Sequence, residues 1–138
     1  MQIAISVLLS LIILMLSVLH FYWALGGKWR LDEAVPTNYD GKKMLKTTVL
    51  SCIVVGTGLM AFSAFYFLPI VGIYLPNFLN FIGWLIPSIF LLRSIGDFKY
   101  VGFFKTVKTT RFGKLDTQYF SPLCLLLAVL GLSILVFG

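Results

Sequence analysis

The sequence predicts an all-α protein, a four-helix transmembrane bundle, and its composition is the first reason. Hydrophobic residues make up 59% of the 138 residues and charged residues only 12%, whereas soluble domains carry about 25% charged residues. A water-soluble fold of this size would expose apolar patches far larger than monomers tolerate. The second reason is that three long stretches contain no charge at all, and all sixteen charged residues, eleven cations and five acids, lie between them.

The first span is predicted at residues 3–25. The uncharged run of residues 1–27 is long enough to cross about 30 Å of hydrocarbon, which takes about 20 helical residues. It has neither the basic start nor the small-residue cleavage site of a secretory signal. We therefore expect a membrane helix that ends at Gly26 and Gly27.

The uncharged run of residues 47–92 is too long for one helix and is predicted to form two spans. Helix-breaking residues mark a tight turn near its middle, and Pro87 predicts a kink in the third span. The turn residues are Pro69, Gly72, Pro76 and Asn77. The resulting spans are residues 47–68 and 76–95, and a fourth follows at residues 119–137.

The distribution of cations predicts the orientation. All eleven lysines and arginines lie in or beside two polar segments, residues 26–46 and 96–118. The positive-inside rule places both segments in the cytoplasm, with the N- and C-termini on the non-cytoplasmic side. The expected protein is a single integral domain, residues 1–138, crossing the cell membrane several times.

Two segments carry a family resemblance. They are "HFYWALGGKW" followed by "VPT", and "RSIGDFKYVGFFK" followed by "TRFGKLDTQYFSPLCLLLA". The chain resembles, over nearly its whole length, a family of small bacterial four-span membrane proteins of unknown function. The resemblance implies a four-helix architecture in a bacterial inner membrane, and it implies no activity.

The only histidine, His20, is the first candidate functional residue. It precedes the first polar segment by about two helical turns, and ionisable groups inside spans are costly enough to suggest function. Trp23 shares its helical stripe, so we predict that both face the interior and line a cavity opposite Arg93. The alternatives are a neutral imidazole hydrogen-bonded between helices, and an aromatic belt facing lipid.

Arg93 borders the hydrocarbon, where an unpaired guanidinium would be costly. Asp97 lies four residues later on the same helical face, and Asp116 precedes the fourth span. We predict that Arg93 pairs with one of these acids, as a structural ion pair or as part of a pocket for a head group. The predicted ligand-binding residues are His20, Trp23, Arg93, Asp97, Asp116 and Tyr119.

The segment "FKYVGFFKTVKTTRF" interleaves aromatic residues with cations. Just outside a span, this pattern predicts a segment in the interface with its lysines toward the phosphates of anionic lipids. Nucleic-acid binding uses similar residues, but the predicted location favours lipid, so nucleic acid is not an expected partner.

Cys52 and Cys124 are predicted to be small buried residues. They share the depth of His20, but no CxxC or HxxxH spacing supports a metal site, and no cofactor is predicted. The four-residue spacings Cys52/Gly56 and Thr57/Ala61 predict a close helix contact, within the bundle or in a homo-oligomer.

The predicted function is the binding of a lipid-like or amphipathic ligand, or of a membrane partner, in the cytoplasmic half of the bundle without evident catalysis. The alternative is a small intramembrane enzyme that acts on a lipid- or quinone-like substrate with His20 as acid or base. The sequence contains no P-loop, Rossmann, HExxH or GxSxG motif.

Overall fold

The computed structural model describes residues 1–27, 40, 49–96, 102–106 and 110–137. Its regular elements in these ranges are all helical: α1 (Gln2–Ala24), α2 (Val49–Phe67), α3 (Phe81–Ile95), a short α4 (Arg111–Leu115) and α5 (Ser121–Phe137). Four helical stretches are long and apolar enough to cross a membrane: Gln2–Ala24, Val49–Val71, Asn77–Ile95 and Gly113–Phe137. The predicted all-α bundle of four such helices is confirmed.

The outer surface of the bundle is apolar. Large hydrophobic side chains are exposed on all four long helices, for example Leu11, Val54, Leu92 and Val129. In water this much contiguous apolar surface would drive aggregation. The same surface is compatible with lipid as the surrounding solvent.

Glycines end the first two long helices. The N–H of Gly26 donates to Trp23 O and that of Gly27 to Tyr22 O, and Gly26 has φ +97°. This is a Schellman motif, which needs a left-handed residue that glycine supplies at low cost. Gly72, with φ +84°, follows the 3₁₀ turn Leu68–Val71 in the same way.

The long helices form two pairs of sequence neighbours. α1 packs along α2, and α3 packs along α5, while the smaller contact between α1 and α5 joins the pairs. All four helices contribute to one apolar core. Its buried residues are Leu9, Ile13, Leu59, Tyr66, Ile86, Phe90, Leu127 and Ala128.

Small and hydroxyl side chains hold α1 against α2. The Ser17 hydroxyl donates to the Gly56 carbonyl at 2.6 Å, and Ser10 and Ser63 exchange hydrogen bonds farther along. Gly56 gives room to the ring of Phe21, which would lie about 3.2 Å from a Cβ atom there. The predicted close contact within the bundle is therefore confirmed for Cys52 and Gly56, which are buried.

The second pair of small residues in that prediction, Thr57 and Ala61, faces outward. Both residues are exposed, so for them the predicted contact is not within the bundle, and the alternative of a contact in a homo-oligomer stays a prediction. They lie on the face of α2 turned away from α1. Small residues four apart occur on both faces of α2, and the spacing alone does not say which face packs against another helix.

The fourth long helix begins earlier than residue 119. α4 starts at Arg111 and runs into a π-helical turn, Asp116–Phe120, before α5. Pro122 explains the wider turn, because its ring would collide with the carbonyl one α-helical turn earlier. The turn is closed by the N–H of Ser121, which donates to Asp116 O.

Candidate functional site

A buried carboxylate lies where α3 ends and the fourth long helix begins. Asp116 is fully buried at the first position of the π-helical turn. Its Oδ1 accepts from Arg93 Nη2 at 2.9 Å, and its Oδ2 accepts from the Gly102 N–H at 2.7 Å. Lys105 Nζ and Ser121 Oγ each donate to Oδ2 at 3.1 Å. These four donors compensate the charge that burial would otherwise make very costly.

Lys105 is also fully buried, and its ammonium group is saturated. Besides Asp116, it donates to Gly102 O at 3.0 Å and to the hydroxyl of Thr117. An ammonium has three protons, and these are three acceptors. Lys105 therefore has no proton left for a ligand.

Gly102 brings the segment of residues 102–106 onto the end of α3. It has φ +88°, and a Cβ atom there would overlap the backbone of Ile95 and Gly96. The N–H of Phe103 donates to Ser94 O at 2.8 Å, next to this contact. Only glycine fits this approach, and the approach delivers a backbone N–H to Asp116.

Arg93 is the member of the cluster that still has donors to offer. Its side chain is 34% exposed, and its Nη2 makes the ion pair with Asp116. Its Nη1 is buried with no hydrogen-bond partner among the described residues. The predicted pairing of Arg93 with Asp116 is confirmed, whereas Asp97, the other predicted partner, lies outside the described residues.

His20 and Trp23 lie together on α1. Their rings meet edge to face with centroids 5.1 Å apart, and both side chains are half-buried. His20 Nδ1 lies 2.7 Å from the carbonyl of Leu16. A carbonyl can only accept, so Nδ1 carries a proton and Nε2 is the nitrogen left for other partners. A cavity between this pair and Arg93 stays a prediction.

The remaining predicted residues lie outside the Asp116 cluster. Tyr119, three residues beyond Asp116, is 63% exposed. Cys52 is buried and Cys124 half-buried, and both are free thiols. Within the described ranges, no group of three His, Cys, Asp or Glu side chains is placed to hold a metal ion.

Sequence reasoning missed most of the partners of Asp116. Gly102, Lys105 and Ser121 were not predicted to contact it. For Lys105 the prediction of a lysine directed at lipid phosphates is wrong, because its ammonium is buried against Asp116. The sequence did indicate that an acid at the edge of a span needs a partner to compensate its charge. That argument does not say which nearby cation is the partner.

The fold and this cluster define a class: an all-α bundle of four apolar helices with a charged, hydrogen-bonded cluster at one end. Residues 13–131 match the family model described as "Protein of unknown function (DUF3995)", and the chain belongs to that family. No curated protein and no solved structure matches the chain. The resemblance to an uncharacterised four-helix membrane family is thus confirmed, and the family description carries no activity.

Proposed function

We propose that this protein binds an anionic, lipid-like molecule at the charged end of its bundle, without catalysis, in the inner membrane of a bacterial cell. The observation that carries the proposal is the hydrogen bonding of the Arg93 guanidinium. Its guanidinium is held by Asp116 through one nitrogen, while the other is buried without a partner among the described residues. Buried donors in native proteins normally have partners, so the free nitrogen suggests that a ligand supplies one.

The charge of the cluster supports an anion as that ligand. Among the described residues of the cluster, Arg93 and Lys105 bring two positive charges to the one negative charge of Asp116. Because Lys105 is saturated and buried, Arg93 is the described cation of the cluster through which this excess charge is available. A guanidinium matches phosphate and carboxylate groups with two parallel hydrogen bonds.

The surroundings of Arg93 support an amphipathic ligand rather than a free anion. Arg93 lies in the last turn of α3, where a long apolar helix meets the polar segment. Tyr119, three residues after Asp116, is exposed. Tyrosine side chains are enriched at the depth of the lipid head groups. In this proposal His20 and Trp23 complete the polar side of the pocket, and the acyl chains lie along the outer faces of the helices.

The test uses Arg93→Lys, which keeps the positive charge beside Asp116 but removes the planar fork. We expect phosphatidylglycerol to raise the melting temperature of the wild-type protein in detergent. In Arg93→Lys the apparent affinity should fall about tenfold, the equivalent of ~1.4 kcal/mol. The midpoint of a lipid titration, followed by thermal unfolding, measures this change.

Two controls separate a site from general attraction. Lys114→Gln removes a cation whose side chain is exposed, and it should leave the titration midpoint unchanged. Phosphatidylcholine and water-soluble glycerol phosphate should each fail to stabilise the wild-type protein. Equal losses for Arg93→Lys and Lys114→Gln would contradict the proposal, because they would indicate only diffuse attraction between a basic surface and anionic lipid.

A further inference from the structure

A second feature lies at the end of the bundle opposite the Asp116 cluster. It is a cavity of about 970 Å³, formed by the start of α1, the end of α2, the start of α3 and the end of α5. Pockets for small organic ligands have volumes of about 300–1,000 Å³. Both helix pairs contribute to the lining of this cavity. Its lining includes Ser6, Tyr66, Asn80, Gly83, Trp84 and Gly131.

The Tyr66 hydroxyl is the unusual group in this cavity. Tyr66 is only 6% exposed, and its hydroxyl oxygen has no hydrogen-bond partner among the residues that the structure describes. It lies against Gly131, where a Cβ atom would be 3.0 Å from it. Burying a hydroxyl without a partner is unfavourable, and native proteins rarely do so.

A backbone acceptor lies in the same region. Pro87 has no N–H, so the carbonyl of Gly83, one helical turn earlier, loses its usual donor. Gly83 lines the cavity, and Pro87 Cβ lies 3.1 Å from the Cβ position built on Gly131, which the Tyr66 hydroxyl also approaches. One hydroxyl and one backbone carbonyl without its helical donor therefore belong to the same part of the bundle.

The lining excludes a charged ligand. Its polar side chains are amides, hydroxyls and an indole, and none of the described residues that line it is charged. An ion placed here would lose its hydration without gaining a counter-charge. The remaining surface is aliphatic and aromatic, which suits a hydrocarbon chain or ring.

We propose that this cavity binds an uncharged amphiphile, a long-chain alcohol or neutral lipid whose hydroxyl oxygen accepts a hydrogen bond from Tyr66. The hydroxyl proton of the ligand is then available to the Gly83 carbonyl, and the apolar chain fills the space between the helix pairs. This site differs from the Arg93 site in position and in ligand charge. Either proposal can therefore fail without affecting the other.

The test uses hexadecanol that carries a photoreactive diazirine in its chain, with the purified protein in detergent. Two analogues are its matched probes: palmitate, which is anionic, and hexadecane, which has no oxygen. We expect saturable labelling of peptides that line the cavity by the alcohol, and about tenfold weaker labelling of them by either analogue. Equal labelling by all three probes would overturn the proposal, since it would indicate only unspecific filling by hydrocarbon.

Tyr66→Phe tests the hydrogen bond itself. It removes one oxygen without changing the ring, so labelling by the alcohol should fall about tenfold toward the level of hexadecane. Tyr22→Phe makes the same change at the opposite end of α1 and should leave labelling unchanged. Ser6→Leu, which fills the cavity from α1, should abolish labelling.

The melting temperature of Tyr66→Phe without any probe gives a second readout. If the hydroxyl lacks a partner in the empty protein, its removal should raise the melting temperature, because an unpaired buried polar group is lost. A lower melting temperature would overturn the proposal, since it would mean that the hydroxyl already has a partner within the protein.

Discussion

At the scale of single residues, Lys105 has the opposite role from the one that its position in a basic segment suggests. Its ammonium is buried with three acceptors, and its charge faces Asp116 rather than the lipid phosphates. Removing one partner of a buried ion pair is strongly destabilising, because the other charge stays buried with less compensation.

We therefore expect Lys105→Met to lower the free energy of unfolding by about 3 kcal/mol. Methionine retains most of the apolar stem, so the loss is chiefly that of the ammonium. Lys114→Met, at an exposed position of α4, is the matched control and should change stability by less than about 0.5 kcal/mol. Unfolding by sodium dodecyl sulfate in mixed micelles measures both, and equal stabilities would exclude the buried role of Lys105.

The residue scale also shows where prediction from sequence stops. Pairing of Arg93 followed from the cost of a guanidinium at the hydrocarbon edge, and Asp116 was one of two acids within reach. Lys105 could not be selected in the same way, because several cations follow α3 along the chain. The choice depends on the left-handed conformation of Gly102, which folds the segment back onto Ile95.

At the scale of helices, Gly56 and Gly58 provide a direct comparison within α2. Gly56 faces α1, and any side chain there would press on the ring of Phe21. Gly58 faces open space, with no heavy atom within 4 Å of a Cβ atom built on it. Close approach of the helices therefore depends on one glycine and not on the other.

We expect Gly56→Leu to destabilise the protein by about 2 kcal/mol, because it forces α1 away from α2 and disturbs the bond from Ser17 to the Gly56 carbonyl. Gly58→Leu makes the same change two residues later and should be neutral or slightly stabilising, since leucine favours helix more than glycine does. Detergent-dependent unfolding of both variants measures the difference. Similar losses would mean that α1 does not pack on this face.

A close helix contact of α2 was predictable, but neither the face of α2 that makes it nor the partner helix was. Four-residue spacing of small residues occurs at Cys52/Gly56 and also at Thr57/Ala61. Only the first pair lies on the side where Ser10, Ser17 and Ser63 provide hydrogen bonds across the interface. Spacing describes one helix, whereas the choice of face depends on the partner helix.

At the scale of the whole molecule, hydropathy was sufficient to predict the architecture. Every charged residue lies in or beside two segments, so the apolar stretches could only be spans. The pairing of α1 with α2 and of α3 with α5, and the cavity between these pairs, were not predictable. They depend on how side chains from four helices fit together, and the mean hydropathy of each helix carries no information about that fit.

The orientation of the protein in the membrane is also a prediction about the whole molecule. We expect both basic segments to face the cytoplasm, because short loops rich in lysine and arginine resist translocation. In a variant lacking Cys52 and Cys124, a cysteine at Lys43 or Lys108 should react with a membrane-impermeant maleimide only after the cells are opened. A cysteine at Tyr74, in the short connection between α2 and α3, should react in intact cells. Labelling of Lys43 or Lys108 positions in intact cells would reverse the predicted orientation.

The pairing of sequence neighbours has a consequence for biosynthesis. α1 and α2 can close on each other before the second half of the chain leaves the ribosome, and their serines find hydrogen-bond partners within that hairpin. Asp116 is synthesised late, and its partners Arg93, Gly102 and Lys105 precede it by 23, 14 and 11 residues. The partners of Asp116 are thus already synthesised when the last helix folds, so its carboxylate can be paired as it becomes buried.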